Sequence, residues 1–388
     1  MIFNNYKFIL KLIFSSKWKF TLPKSRKILI IDANTNPFKH YFKKEEYNLL
    51  FRRGEEINIS ILFKCLLIKR LNILGYYKTF IEYANPKIIL TAIDHYPSFY
   101  FLSKLTNIKT AFIVKGKRSP VDGLFNNKKV TNSKDKKKYF VDYMFVHNKS
   151  VEKLYKNLIK GKTVVIGSFI NNIRRPAIKN KKKEILWISS FKSISQRSEW
   201  YNPITKKNIS HQIFQKNDKY VINDLYHYSK RNNLKFNILG RQTGENIIEE
   251  KKYYENLIGK NFNYIEYNLN KDSYKIMNEY EYIFTTWSTL GVENLVKNGK
   301  TGFIFNKPNN PIWNHARLGV IENLPKKGPF WTATSAHDKK EFNRIFNFVV
   351  KSNKKKWSKA RRLYGSKLLG YDEGNKKFLK IVKNIIKK

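Results

Sequence analysis

The chain has 388 residues, a formal net charge of +48 and a hydrophobic fraction of 41%. This length exceeds what a single hydrophobic core usually spans, so two domains are expected, and the apolar content excludes an intrinsically disordered chain. The single cysteine, Cys65, excludes an internal disulfide and a cysteine-based zinc site, and it fits a reducing cytoplasm.

The positive charge has two interpretations. There are 77 Lys and Arg residues against 29 Asp and Glu, and such an imbalance favours polyanionic partners, namely nucleic acid, anionic lipid or acidic polysaccharide. However, the lysines are spread along the whole chain, which is also rich in Asn, Ile, Tyr and Phe. The composition of an AT-rich genome explains the charge equally well.

Residues 1–25 form a basic, amphipathic segment. Six apolar side chains would share one side of a helix there, with Lys7 and Lys11 opposite: Ile2, Tyr6, Ile9, Leu10, Ile13 and Phe14. The pattern is typical of a helix in the membrane interface, with Trp18 at headgroup level, and equally of a helix on the protein's own surface. No apolar run reaches the roughly 20 residues that cross a bilayer, and no small-residue cleavage site suggests a secretory signal.

From residue 26 to residue 170, short apolar runs alternate with helical segments. The predicted strands are RKILIID, KIILTAID, KTAFIVKG, YFVDYMFVHN and KTVVIGSF. The predicted helices are residues 56–74, the segment PSFYFLSKLTN, and SVEKLYKNLIK with Ser150 as its cap. This alternation predicts a parallel sheet with helices on both faces, which is a Rossmann-like domain.

Residues 171–183 are polar and basic and are predicted to be a linker. The alternation then restarts over residues 184–345, with the predicted strands EILWISSF, KFNILGR, NYIEYN, YIFTTW and TGFIF. Basic helices are predicted to close the chain over residues 346–388. The predicted fold class is therefore α/β, with two doubly wound, Rossmann-like domains facing each other across a cleft.

In open parallel sheets, ligands bind beyond the carboxyl ends of the strands. Six candidates for binding an anionic ligand lie at or near such ends in the second domain: Ser190, Gly240, Arg241, Ser288, Thr289 and Glu293. Hydroxyl groups at a helix start and an arginine fork suit a phosphate, and a carboxylate suits a ribose diol. The alternatives are a plain N-cap for Ser288 and a solvated helix position for Glu293.

The first domain carries acids at corresponding positions. Asp94, Glu55 and Glu56 are candidates for the general base that deprotonates an acceptor hydroxyl. The alternatives are that Glu55 and Glu56, predicted at a helix start, complement the helix dipole, and that Asp94 caps the next helix.

The sequence lacks the motifs that several other kinds of enzyme require. The sequence contains no GxGxxG after a first strand, no P-loop, no GxSxG elbow, no HExxH and no DxD at a strand end. We therefore expect no metal and no cofactor, and a metal-independent reaction.

Several stretches resemble the bacterial surface carbohydrate (surface polysaccharide) biosynthesis proteins, and more widely the GT-B glycosyltransferases. They are ILIIDANTNPFKHYF, LFRRGEEINI, ILTAIDHYPSFYFLSKL, VDYMFVHN, VIGSFINN, TTWSTLGVENLVKNGKTGFI and KGPFWT. The resemblance implies a cytoplasmic enzyme that moves a sugar from a nucleotide-sugar donor onto a surface polysaccharide or its lipid-linked precursor. By analogy, Ser288, Thr289 and Glu293 match the donor-binding segment.

The resemblance also implies a location at the inner face of the membrane, where the basic N-terminal segment would meet anionic lipids. Two other activities fit the same scaffold, a sugar-nucleotide epimerase and a transferase of the glycerol-phosphate type. A non-enzymatic RNA-binding protein is a third alternative, but no RRM-type motif is present, and we expect no specific nucleic-acid partner.

Overall fold

A computed structural model describes residues 16–31, 36–51, 55–116, 118, 124, 139–175, 178, 180–194, 199–202, 207–210, 212–267, 273–286, 288–306, 325, 327–334 and 336–387. The described chain divides into two compact units. Of the described residues, the first unit holds those up to Lys115, Leu124, those from 139 to Ile173 and those from Asp372 onward. The second unit holds Gly116, Arg118 and those from Arg174 to Tyr371. Residues 1–15 of the predicted amphipathic segment, 1–25, lie outside the described residues. Trp18, predicted at headgroup level on that segment, lies instead in a short strand, Lys17–Lys19.

The first unit is built on a parallel sheet of six strands, in the order β3-β2-β5-β6-β7-β8. Its strands, with two that form a separate pair, are β1 (Lys17–Lys19), β2 (Ile28–Ile31), β3 (Tyr47–Leu50), β4 (Glu56–Asn58), β5 (Ile88–Thr91), β6 (Lys109–Ile113), β7 (Phe140–Val146) and β8 (Lys160–Val165). The central strands β2 and β5 are buried at every position, as expected for a parallel sheet covered on both faces. Strands β1 and β4 pair in parallel outside this sheet.

The helices of this unit correct two local predictions. They are α1 (Ile59–Leu67), α2 (Ile73–Ala84), α3 (Leu102–Thr106) and α4 (Lys149–Lys156). The single helix predicted over residues 56–74 is wrong, because Lys69 has a φ of 55° and the Asn72 side chain starts α2 by accepting from the Gly75 N–H at 2.8 Å. The predicted Ser150 cap is also wrong, since Asn148 caps α4 by accepting from the Val151 N–H at 2.8 Å.

The second unit contains a seven-stranded sheet in the order β13-β12-β9-β14-β15-β17-β16. Its strands are β9 (Lys182–Ile188), β10 (Glu199–Asn202), β11 (Lys207–Ser210), β12 (Phe236–Leu239), β13 (Asn263–Ile265), β14 (Tyr280–Thr285), β15 (Lys300–Asn306), β16 (Lys327–Gly328) and β17 (Trp331–Thr334). All pairs in the sheet are parallel except β16–β17, and β10–β11 is a separate antiparallel hairpin that was not predicted. The carboxyl ends of β12, β9 and β14 are therefore neighbours.

Helices cover this sheet. They are α5 (Gln212–Arg231), α6 (Asn246–Ile258), α7 (Ser273–Asn278), α8 (Thr289–Val296), α9 (Lys339–Lys351) and α10 (Lys354–Leu368). Helix α10 is crowded with lysine and arginine, yet it buries Trp357, Ala360 and Leu368 on one side. It lies within residues 346–388, where basic helices were predicted, and its apolar stripe is narrow.

The last helix, α11 (Lys376–Lys387), belongs to the first unit. The Phe378 ring lies 5.0 Å from Phe145 and 4.9 Å from Phe169. The buried Asn375 accepts a hydrogen bond from Asn172 at 2.8 Å. The chain thus returns to its first unit, and Asn172, which lies in the predicted linker, is buried within that unit. No helix among the described residues is long and apolar enough to cross a membrane.

Candidate functional site

A cavity of about 520 Å³ opens at the carboxyl ends of the central strands of the second unit. It is lined by Ile188, Ser189, Ser190, Leu239, Gly240, Arg241, Tyr267, Ser273, Ser288, Thr289 and Leu290. Five of the six sequence candidates are among these residues, and Glu293 is the exception. The structure therefore brings together side chains that are about a hundred residues apart in sequence, and their role in binding a ligand stays a prediction.

The first turn of α8 forms one wall of this cavity. Ser288 is the N-cap, and its hydroxyl accepts a hydrogen bond from the Leu290 N–H at 3.2 Å. Ser288 therefore caps the helix, as the alternative prediction had it, and the same residue also lines the cavity. Since free N–H groups and the positive end of the helix dipole favour anions, this wall suits a phosphate.

Glu293 lies behind the lining rather than in it. Its side chain is 2% exposed, so the alternative of a solvated helix residue is wrong. Its carboxylate accepts a hydrogen bond from the Tyr274 hydroxyl at 2.9 Å, and the guanidinium carbon of Arg175 lies 4.2 Å from the centre of the Tyr274 ring. Because Tyr274 directly follows Ser273, this stack supports the edge of the cavity. The proposed contact of Glu293 with a ribose stays a prediction.

Arg241 lines the cavity, and a second cation, Lys192, lies in the loop that follows Ser190. Burial lowers the pKa of the Arg241 guanidinium from its ordinary value, and the charge of Glu250 opposes that effect. Burial, followed by the charge of Arg241, also lowers the pKa of the Lys192 ammonium. This repulsion shows that the two positive charges interact. Sequence reasoning missed Lys192, although it lies two residues after Ser190 in a strand-end loop.

A buried carboxylate holds the loop that carries Arg241. Glu250, on α6, is fully buried and accepts hydrogen bonds from the Ser189 hydroxyl, from the backbone N–H of Arg241 at 3.0 Å and from that of Gln242 at 2.8 Å. It also accepts from the Tyr264 hydroxyl at 2.8 Å, and burial together with the charge of Glu250 raises the pKa of that phenol. The carboxylate therefore fixes the backbone at the end of β12.

Sequence reasoning missed Glu250 because EEKK looks like a solvated helix face. The available signal was its spacing: Glu250, Tyr254 and Ile258 repeat every four residues and are the buried residues of α6. The same region explains Gly240. A Cβ atom there would lie 2.2 Å from the Tyr264 hydroxyl oxygen, so only glycine lets the loop approach so closely.

In the first unit, Asp94 lies just after β5 and is 1% exposed. Its carboxylate accepts a hydrogen bond from the Tyr155 hydroxyl, and its backbone carbonyl accepts one from Tyr100. It does not cap the 3-10 helix that follows, Pro97–Phe101, whose N-cap is Tyr96. The Nδ1 atom of His95 lies 3.8 Å from an Asp94 carboxylate oxygen, and the imidazole side chain is 43% exposed. The exposed group at this strand end is thus a histidine beside a buried carboxylate.

Glu55 and Glu56 lie on a different element. Glu56 is in β4 and forms an ion pair with Lys19 at 2.8 Å, while the Glu55 carbonyl accepts from the Lys17 N–H at 3.0 Å. Helix α1 begins only at Ile59 and has no acid in its first turn. The prediction that these glutamates start a helix, and the alternative that they complement its dipole, are both wrong. The structure places them on the β1–β4 pair and not on the sheet that carries Asp94.

Within the ranges that the structure describes, no group of three or more His, Cys, Asp or Glu side chains is arranged to hold a metal ion.

Comparison with known proteins gives a family and a fold. A family model described as "putative O-antigen biosynthesis protein" matches residues 111–386. The UDP-GlcNAc 2-epimerase of Neisseria meningitidis, solved with UDP-GlcNAc, has a TM-score of 0.55 at 11% identity, covering 92% of this chain and 99% of that one. The wall teichoic acid polymerase TagF, solved with CDPG, has a TM-score of 0.53 at 11% identity, covering 100% and 98%. Such low identity shows the fold alone, which is the two-domain α/β fold of GT-B proteins. A search of curated proteins found no match.

Proposed function

Since this chain belongs to the O-antigen biosynthesis protein family, we propose that it is a GT-B-type glycosyltransferase of surface polysaccharide synthesis. It moves a sugar from a nucleotide-sugar donor onto the polysaccharide or its lipid-linked precursor. The observation that carries the proposal is the cavity at the ends of β9, β12 and β14, where a helix N-terminus and the Arg241 guanidinium converge.

The donor nucleotide binds in that cavity. Its phosphates lie against the first turn of α8, with Arg241 and Lys192 beside them. In the reaction, the bond between the sugar C1 and the phosphate oxygen breaks, and a bond between C1 and the acceptor oxygen forms. The electron pair leaves with the phosphate, where the two cations and the helix N-terminus stabilise the added negative charge without a metal ion.

A side chain of the first unit accepts the proton of the acceptor hydroxyl. Of the three acids predicted for this role, Asp94 fits best, but it acts through the neighbouring His95 rather than as the base itself. The exposed His95 imidazole accepts the proton, and the buried Asp94 carboxylate stabilises the imidazolium that forms. Their atoms are 3.8 Å apart, so a small rotation of the imidazole is needed to make the hydrogen bond. Glu56, in β4, is ion-paired with Lys19, and Glu55 directly precedes that strand.

Two other activities remain as alternatives on the same scaffold. The structures with matching folds include an epimerase solved with UDP-GlcNAc and a polymerase solved with CDPG. An epimerase would alter the sugar without an acceptor, and a glycerol-phosphate-type transferase would break a different bond of its donor.

A lipid-linked acceptor also places the enzyme at the inner face of the cytoplasmic membrane, as a peripheral protein.

The donor site is tested by calorimetric titration with UDP-, GDP-, CMP-, CDP- and dTDP-linked ligands. For the ligand that binds, Arg241→Gln and Lys192→Gln should each weaken affinity about tenfold, because a charged hydrogen bond contributes about 1.5 kcal/mol. Lys260→Gln is the matched control, since this exposed lysine precedes β13 at the opposite edge of the sheet. Equal affinities for all three variants would show that the nucleotide does not bind at this cavity.

The reaction class is tested by incubating donors labelled in the sugar with membrane lipid extract. Transfer of label into the lipid fraction, insensitive to EDTA, supports the glycosyltransferase. Conversion of the sugar to a free or nucleotide-linked epimer, with no label in lipid, rejects it in favour of the epimerase.

A further inference from the structure

Large apolar side chains are exposed together on one part of the first unit. Eleven of them, between 38% and 68% exposed, lie between residues 18 and 74: Trp18, Phe20, Leu22, Leu62, Phe63, Leu66, Leu67, Ile68, Leu71, Ile73 and Leu74. We call this set the α1 patch. Soluble proteins rarely expose contiguous apolar surfaces of this kind unless they bind something.

Helix α1 is apolar on both of its sides. Ile61 and Cys65, four residues apart, are buried in the unit. Leu62, Phe63 and Leu66 point away from them and are between 40% and 56% exposed. A helix that only covers its own core carries polar residues on its outer face. Folding of the first unit therefore does not account for the outer face of α1.

The exposed residues before β2 adjoin this helix. The Phe20 carbonyl accepts a hydrogen bond from the Ser60 hydroxyl, in the first turn of α1, and the Trp18 ring lies 6.4 Å from the Phe20 ring. The Asn58 side chain also donates to the Thr21 carbonyl at 2.8 Å. Trp18, Phe20 and Thr21 thus lie beside the start of α1.

The charge around the α1 patch is strongly positive. Six basic residues lie within or beside it: Lys17, Lys19, Lys24, Lys64, Lys69 and Arg70. Residues 57–81 contain no Asp or Glu. The acids that flank this stretch are paired, Glu56 with Lys19 at 2.8 Å and Glu82 with Arg70 at 3.3 Å. An apolar centre with a cationic border complements a bilayer whose headgroups are anionic.

We propose that the α1 patch docks onto an anionic lipid bilayer, with the leucines of α1 among the acyl chains and the lysines at the headgroups. The biological use of this contact rests on the proposed function, because an enzyme with a lipid-linked acceptor works at a membrane surface. The contact itself does not depend on the activity. It differs from the amphipathic helix predicted over residues 2–14, since it is made by a folded helix and strand.

The test is co-sedimentation of the full-length protein with vesicles, in the absence of any nucleotide. Binding is expected to vesicles containing about 30% phosphatidylglycerol, to be much weaker to pure phosphatidylcholine, and to fall with added salt. The double variant Phe63→Ser, Leu67→Ser should lower the partition coefficient at least about tenfold, because two exposed apolar side chains are lost from the interface. Lys64→Gln, Lys69→Gln should lower it on anionic vesicles only.

The control is Leu363→Ser, which changes a leucine of α10 in the second unit that is 55% exposed. It should bind vesicles like the unaltered protein. Retained binding by the Phe63, Leu67 variant, or loss of binding only in Ile9→Ser, Ile13→Ser, would overturn the proposal by assigning the lipid contact to the N-terminal segment. A dimer that ignores vesicles and dissociates in the Phe63, Leu67 variant would also overturn it, because the patch would then bind a second copy. Failure of the transferase assay with vesicle binding intact would reject the proposed function alone.

Discussion

Glu250→Gln is a substitution of nearly equal volume at the carboxylate behind the cavity. The native side chain presents only acceptors to four donors: two hydroxyls, of Ser189 and Tyr264, and two backbone N–H groups, of Arg241 and Gln242. A glutamine offers one oxygen and one NH₂ group. Whichever way the amide turns, its NH₂ group faces donors that are buried away from water.

The structure gives the size of the effect. The Ser189 oxygen already accepts hydrogen bonds from the Phe191 N–H at 3.1 Å and from the Tyr254 hydroxyl at 2.8 Å, so it cannot also accept from an amide NH₂ group. In the other orientation the NH₂ group faces the Gln242 N–H, and an unsatisfied buried donor costs about 1–3 kcal/mol. The loss of the negative charge weakens the remaining bonds as well. We therefore expect Glu250→Gln to lower the free energy of unfolding by about 2 kcal/mol. Glu250→Ala, which removes every acceptor, should lower it by about 4 kcal/mol.

Urea unfolding followed by tryptophan fluorescence measures this difference, since buried Trp187 donates a hydrogen bond to Tyr254 in the same network at 3.2 Å. Glu255→Gln is the control, as a partly exposed glutamate on the same helix. Donor affinity should fall in Glu250→Gln through the displaced Arg241 loop, even where the protein remains folded. If Glu250→Gln matches Glu255→Gln in both stability and affinity, the buried carboxylate does not hold the loop.

Two further predictions concern the first unit. His95→Asn should lower kcat by about 10²–10⁴-fold with little change in the donor KM, because it removes the proposed base; a rate like that of His227→Asn, an exposed histidine of α5, would assign the base elsewhere. Burial raises the pKa of Glu152, but hydrogen bonds from the Thr163 hydroxyl and two lysine ammonium groups outweigh it and lower the pKa from 4.5 to about 2. This stabilisation is complete above the unfolded pKa and is lost as the pH falls toward 2. Because both lysine ammonium groups are more than half exposed and are screened by solvent, Glu152→Gln should be about 1 kcal/mol less stable at pH 7. The two proteins should converge in urea unfolding between pH 5 and 2, and a difference that is independent of pH would contradict the assignment.

Much of the architecture could be predicted because it depends on local patterns. The isoleucine-rich runs at β2 and β5 are buried strands, and the hydroxyl before α8 is its N-cap. The rule that ligands bind at the carboxyl ends of parallel strands then placed Ser190, Arg241 and Ser288 at one edge. The structure shows that all three line one cavity.

Some local features could not be predicted because the sequence pattern around them is weak or ambiguous. The break between α1 and α2 depends on the left-handed backbone at Lys69. The placement of Glu55 and Glu56 failed for a related reason. Three residues that precede a helix look like its first turn, but here they pair with β1, which is about forty residues earlier in the chain.

The sequence by itself determined the α/β class, most of the strands and the edge of the sheet where the cavity lies, since these follow from periodicity and from capping within a few residues. Only the tertiary structure decided which charged groups face inward. Glu250 and Glu293 both occur in ordinary helical sequences, yet they are buried because partners from distant elements, Tyr264 and Tyr274, donate hydrogen bonds to them. The interaction of Lys192 with Arg241 and the exposure of α1 are likewise set by what packs nearby. Burial and charge interaction depend on neighbours in space, and neighbours in sequence do not specify them.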